Sequence, residues 1–251
     1  MFALAACSSQ PASSASASSA SASSASASAA SESAASESAS ASAASESAAS
    51  ESASASAASE SAASELAATP TEAELNTLIV DKDAKTISIW GQINGKYLTE
   101  PTHHFECNKD GKNGEKAVMR AWVKPAELYD ALISLGAKPG DNLTVGDDAK
   151  GKFIEGDKIE VTLDWNGSNG PVAMADCLKQ LDGSAYETDM RFGGNIDASN
   201  EMQTGCLSCT FSCPVGIISN AKYGYSTEDV IGNSDVLPPD GTYVLVTYKL
   251  V

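Results

Sequence analysis

From Ser8 to Glu65 the chain runs for 58 residues in which only Gln10 and Pro11 are not alanine, serine or glutamate. Such a tract cannot bury enough apolar surface to offset the entropy of ordering it, so no part of it belongs to a core. The segment Ser31–Ala44 recurs unchanged at Ser45–Ala58. A 14-residue period is compatible with two heptads, but a coiled-coil seam needs Leu, Ile or Val where this repeat has only alanine. Residues 8–68 are therefore expected to be a disordered tether. As a flexible coil it averages about 40 Å end to end, with a stretched limit on the order of 200 Å. The folded part is confined to residues 69–251, enough for one domain.

Ahead of the tether, Leu4-Ala5-Ala6-Cys7 has the pattern of a bacterial lipobox: an apolar residue, two small ones, then the cysteine that receives lipid. The basic and apolar regions of a complete signal peptide are not present, so the gene start is expected to lie upstream. Residues 1–7 then read as a signal-peptide remnant, and Cys7 as the lipid-bearing anchor of an extracytoplasmic protein at the bacterial cell membrane. No apolar stretch approaches the length of a membrane-spanning helix. Six of the 33 acidic residues lie in the tether, and with all 16 basic residues beyond it the remainder still carries a net charge of −11. That balance excludes nucleic acid as an expected partner, since phosphate backbones are held by clustered Lys and Arg.

Beyond Thr69-Pro70 the pattern changes to alternation. Leu78–Val80 and Thr86–Ile93 flank the polar turn Asp81-Lys82-Asp83 and predict a hairpin. Further strands are expected at Thr102–Cys107, Glu115–Val123, Lys158–Trp165, Ile217-Ile218 and Tyr243–Val251. Pro125 opens a helix carrying Leu128, Leu132 and Leu135 at helical spacing, with Gly136 as its C-terminal cap. A second short helix is expected over Ile196–Thr204, capped by Asn195 and stopped at Gly205. Strands outnumber helices without β-α-β regularity. The expected fold class is α+β, with a largely antiparallel sheet and a few short helices.

The sharpest chemical feature is Cys206-x2-Cys209-x3-Cys213-Pro214. Closely spaced thiolates hold soft metals and iron–sulfur clusters, and the proline turns the chain away from them. The bacterial ferredoxin run has one more cysteine at its start, where this chain has Gln203. A four-thiolate site must recruit Cys107 or Cys177 from elsewhere, and Cys177 is taken as the fourth ligand. Disulfides are the alternative in an oxidising compartment, although five cysteines beyond Cys7 leave one unpaired. Zinc, or inert thiols, remain open as well.

His103 and His104 face opposite ways in a regular strand, and His103 and Cys107 would lie about 13 Å apart. His104 and Glu106 are about 7 Å apart and could approach one ligand. Arg120 and Arg191 are the only arginines, set in apolar strand-like stretches that suit either an ion pair or an anion contact.

Three stretches resemble the YdjY-type domain family of bacterial extracytoplasmic proteins: His103-His104 with Asn113–Ala117, Tyr129–Leu132 with Leu135–Gly140, and Arg191–Asn195 leading into Thr204–Gly216. Members bearing the cysteine cluster carry the label of 4Fe-4S ferredoxins. The resemblance implies an iron–sulfur cluster on Cys206, Cys209 and Cys213, and electron transfer with a redox partner protein. The alternative expectation is a disulfide-stapled binding module using the sheet face of Arg120 and Trp122.

Overall fold

The computed structural model of the protein describes residues 69–147, 151–224 and 230–251. Cys7 and the tether lie outside these described residues. Chain order runs α1 (Glu72–Leu75), β1 (Ile79–Asp81), β2 (Thr86–Ile93), β3 (His104–Asn108), β4 (Ala117–Ala121), α2 (Pro125–Ser134), β5 (Ile159–Asp164), β6 (Val172–Ala173), β7 (Leu178–Gln180), β8 (Met190–Phe192), α3 (Ile196–Met202), β9 (Cys206–Cys209), β10 (Ile218–Asn220), β11 (Val230–Gly232) and β12 (Tyr243–Leu250). This is an α+β fold made mostly of strands.

The hairpin forms as its pattern dictates. Asp81 accepts hydrogen bonds from the backbone N–H groups of Asp83 and Ala84, and Ile79 pairs with Ser88. Helix α2 begins at Pro125, where the missing N–H costs nothing, and Glu127 reaches back to the Lys124 N–H at 2.7 Å. Gly136, at φ +85°, ends it: its N–H and that of Ala137 turn back to the carbonyls of Ile133 and Leu132. Leu128 and Leu132 are buried on the face toward the sheet. Helix α3 departs from expectation at its start. Asn195 is left-handed, and its side chain donates to the Cys213 carbonyl instead of capping the helix.

Nine strands follow the order β6-β5-β12-β2-β4-β3-β9-β10-β8, with β1 added on β2, and β11 pairs with β7 separately. The sheet is mixed, which corrects the largely antiparallel one expected. β3 runs parallel to β4, and β9 parallel to β10. Parallel neighbours need crossover connections. Here they are the irregular segments 109–116 and 210–217, which carry no hairpin signature in the sequence. Both crossovers lie beside the cysteines. The main core gathers Ile87, Ile89, Phe105, Met119, Leu128, Leu163, Phe192 and Val246. A second apolar cluster holds Cys107, Cys206, Cys209 and Cys213 with Ala117, Phe211 and Val215.

Candidate metal centre

The second cluster is built where β3 meets β9. Cα register pairs Cys107 with Cys206, Glu106 with Ser208 and His104 with Cys209, so Phe105 and Leu207 each stand as an extra residue on one strand. In a regular strand residues three apart point to opposite faces. The two irregularities cancel that alternation, as bulges do when they re-aim a side chain. His104 and Cys107 consequently reach the same sulfur. Cys206 Sγ lies 3.4 Å from His104 Nδ1 and 3.7 Å from Cys107 Sγ, and Asn113 Nδ2 donates to it at 3.8 Å. The donor atoms of His104, Cys107 and Cys206 all fall within 4.8 Å of one another, so this group could hold a metal ion.

Cys209 and Cys213 extend the group. Both are buried in the same apolar cluster as Cys107 and Cys206. The loop returning to β10 passes so close that a Cβ on Gly216 would stand 2.8 Å from Cys209 Sγ and from Ser219 Oγ. Gly205, at φ +81°, lets the chain enter β9 while its carbonyl accepts the Asn108 N–H at 2.7 Å. All five described cysteines are free thiols and all are buried.

Electrostatics divide the thiols. The hydrogen bond from Cys107 holds the Cys206 thiol well below the ordinary range, and contacts from Cys209 and His104 add to the effect. Burial pushes Cys107 well up, and its hydrogen bond to Cys206 pushes it further. Cys209 is also raised, first by its contacts with Cys206 and Cys213. Thiols gathered beside an imidazole suit a soft cation, whose binding would expel their protons. A cleft of about 460 Å³ opens onto this group, lined by His103, His104, Asn113, Met202, Phe211 and Cys213 among others.

Behind the thiols lies a buried carboxyl. Glu106 shows no exposed surface, and Tyr248 donates to its Oε2 at 2.5 Å; Ser208 and Tyr248 are 3.1 Å apart. Its Oε1 has no partner among the described residues. Burial pushes Glu106 up to about 8, against the opposing effect of the Tyr248 hydrogen bond. A Cβ at Gly91 would lie 3.0 Å from Oε1, so that glycine leaves the carboxyl its room.

The remaining candidates fall elsewhere. Cys177, expected as the fourth ligand, packs in the main core, where burial pushes it up to about 12. Cys107, not Cys177, lies beside the run, across the irregular pairing of β3 with β9. His104 turns toward Cys206, whereas Glu106 turns toward Tyr248. Arg120 pairs with Glu115 at 3.2 Å and Arg191 with Asp189 at 2.9 Å, each a partly exposed ion pair.

Fold and site together define an α+β domain with buried cysteines and a half-buried histidine at one strand junction. The chain belongs to the YdjY domain family, whose pattern matches residues 78–249. It is 38% identical over 179 residues to the uncharacterized protein YdjY of Escherichia coli (strain K12), covering 69% of this chain and 78% of that one. No solved structure matches it.

Proposed function

We propose that the domain carries a thiolate-bound iron–sulfur centre on Cys107, Cys206, Cys209 and Cys213, and that it passes electrons to a partner protein. One observation carries this reading. Four thiols that the sequence scatters over more than a hundred residues meet in one buried cluster. The spacing supports two thiolates on one ion, since a tetrahedral centre with metal–sulfur bonds near 2.3 Å sets its sulfurs about 3.8 Å apart. Cys107 and Cys206 are 3.7 Å apart. A two-iron cluster assigns two thiolates to each iron, whereas a four-iron cube takes one each, so the smaller cluster fits this pair better. His104 lies beside the pair, its Nδ1 3.4 Å from the Cys206 sulfur. The group would supply one-electron transfer when bound, and the protein's part is to shield it from water and hold it near the cleft. Lipid on Cys7 and the tether would keep the domain on the outer side of the cell membrane, within reach of its partner. The test is a visible spectrum of anaerobically purified protein with iron and acid-labile sulfide assays. Colour with iron and sulfide in similar amounts supports the reading; metal without sulfide overturns the cluster, and a colourless metal-free protein overturns the centre.

A further inference from the structure

Cys107 and Cys206 have a second capacity that needs no metal. They are direct cross-strand partners in an antiparallel pair. The ladder hydrogen bond falls on the next pair, from the Asn108 N–H to the Gly205 carbonyl at 2.7 Å. Cys107 and Cys206 thus occupy a non-hydrogen-bonded position, where Cα atoms come within about 4.5 Å, inside the span a disulfide bridges. Their sulfurs, now 3.7 Å apart, would close to a bond by moving about 1.7 Å in total. The same pair would provide two of the four proposed thiolate ligands.

The cleft reaches Cys206 only through its neighbours. His104 and Asn113 line the cleft, and both contact the Cys206 sulfur from there. Cys206 itself is fully buried, so only a very small molecule passing these two side chains would reach it. A hydroperoxide has that size, and the nitrogen groups of His104 and Asn113 offer hydrogen bonds to its oxygens.

We propose that Cys107 and Cys206 form a two-electron thiol couple that reduces a small hydroperoxide entering through this cleft, and that closing their disulfide dismantles the metal centre. In the first step the Cys206 sulfur attacks one oxygen of hydrogen peroxide, breaking the O–O bond to give a sulfenic acid, while the thiol proton leaves with the departing hydroxyl as water. In the second the Cys107 thiol attacks the sulfenic sulfur, forming the S–S bond and releasing water as the Cys107 proton joins the departing hydroxyl. One peroxide is reduced by two electrons, and two thiols are oxidised to one disulfide. The disulfide half stands on geometry alone, while the loss of metal rests on the function proposed above.

The experiment uses the full chain, metal-free and metal-loaded, treated with one equivalent of hydrogen peroxide and mapped by mass spectrometry. Trypsin puts Cys107 on Tyr97–Lys109 and Cys206, Cys209 and Cys213 together on Phe192–Lys222. The expected product joins these two peptides, with fragmentation placing the bond at Cys206, and loaded protein releases metal in step with it. In Cys107→Ser the joined product should vanish, and the Cys206 sulfenic acid should be trapped by a cyclic diketone or captured by Cys209. In the unsubstituted chain, bonds confined to Phe192–Lys222, or oxidation at Met202 with the thiols intact, overturn the couple. A chain that forms the bond yet never takes up metal contradicts the metal reading and leaves the couple standing. A chain that loads metal but forms no bond overturns the couple alone.

Discussion

Cys107 and Cys206 lie 99 residues apart in the chain, yet their sulfurs meet at 3.7 Å across adjacent strands. This contact joins the first half of the domain to the cysteine run near its end, and the proposed function rests on it in choosing Cys107 over Cys177.

The assignment separates two buried cysteines by their effect on metal. Cys107→Ser is expected to abolish most metal uptake, whereas Cys177→Ala should retain it and lose stability on the order of 1 kcal/mol from a small cavity. Metal content per folded chain, with a thermal melt on each variant, checks this. Equal metal loss in both would return Cys177 to the ligand set.

Gly216→Ala should damage the same site from behind. Its new methyl would stand 2.8 Å from Cys209 Sγ, a displacement worth about 1–3 kcal/mol of overpacking. Denaturant unfolding should show that loss, and metal affinity should fall as Cys209 is pushed aside. An unchanged affinity would mean that Cys209 is not a ligand.

Glu106 makes stability depend on pH. Its folded value near 8 stands above the ordinary 4.5, so between these values the unfolded chain ionises while the folded carboxyl keeps its proton. Stability of the metal-free domain should fall as pH rises from about 4.5 to 8 and level off above, because unfolding releases a proton in that window. Glu106→Gln should flatten this part of the profile while Tyr248 keeps an acceptor. A profile unchanged by the substitution would assign the dependence to other groups.

The tract of alanine, serine and glutamate contributes nothing that a core can use, so a chain beginning at Thr69 should melt with the full-length protein. Differential scanning calorimetry on both is sufficient. A clear drop on truncation would mean that the tract docks on the domain.

Much of the scaffold was legible because it follows simple periodicities. The β1–β2 hairpin, β5 with Ile159, Val161 and Leu163, and the Pro125-to-Gly136 helix each announce themselves by alternation, spacing or caps. The site was legible only in part. Cys206, Cys209 and Cys213 stand out by spacing, but all four residues of β9 are buried, so Cys-Leu-Ser-Cys shows no alternation and gives no strand signal. Regular geometry sends His104 and Cys107 to opposite faces, and only the extra residues Phe105 and Leu207 bring them together. No local residue pattern marks such a bulge. Glu106 did leave a trace, as a lone acid between Phe105 and Cys107. Its partner Tyr248 lies 142 residues away on β12, beyond any spacing argument.

The central claim is that Cys107, Cys206, Cys209 and Cys213 hold one iron–sulfur centre. Native mass spectrometry of the full chain, purified without oxygen, tests it most directly. The expected spectrum shows the folded chain heavier than its sequence by iron and sulfide together, with the increment lost in Cys107→Ser and kept in Cys177→Ala. A folded chain at its metal-free mass, even after anaerobic reconstitution with iron and sulfide, would contradict it.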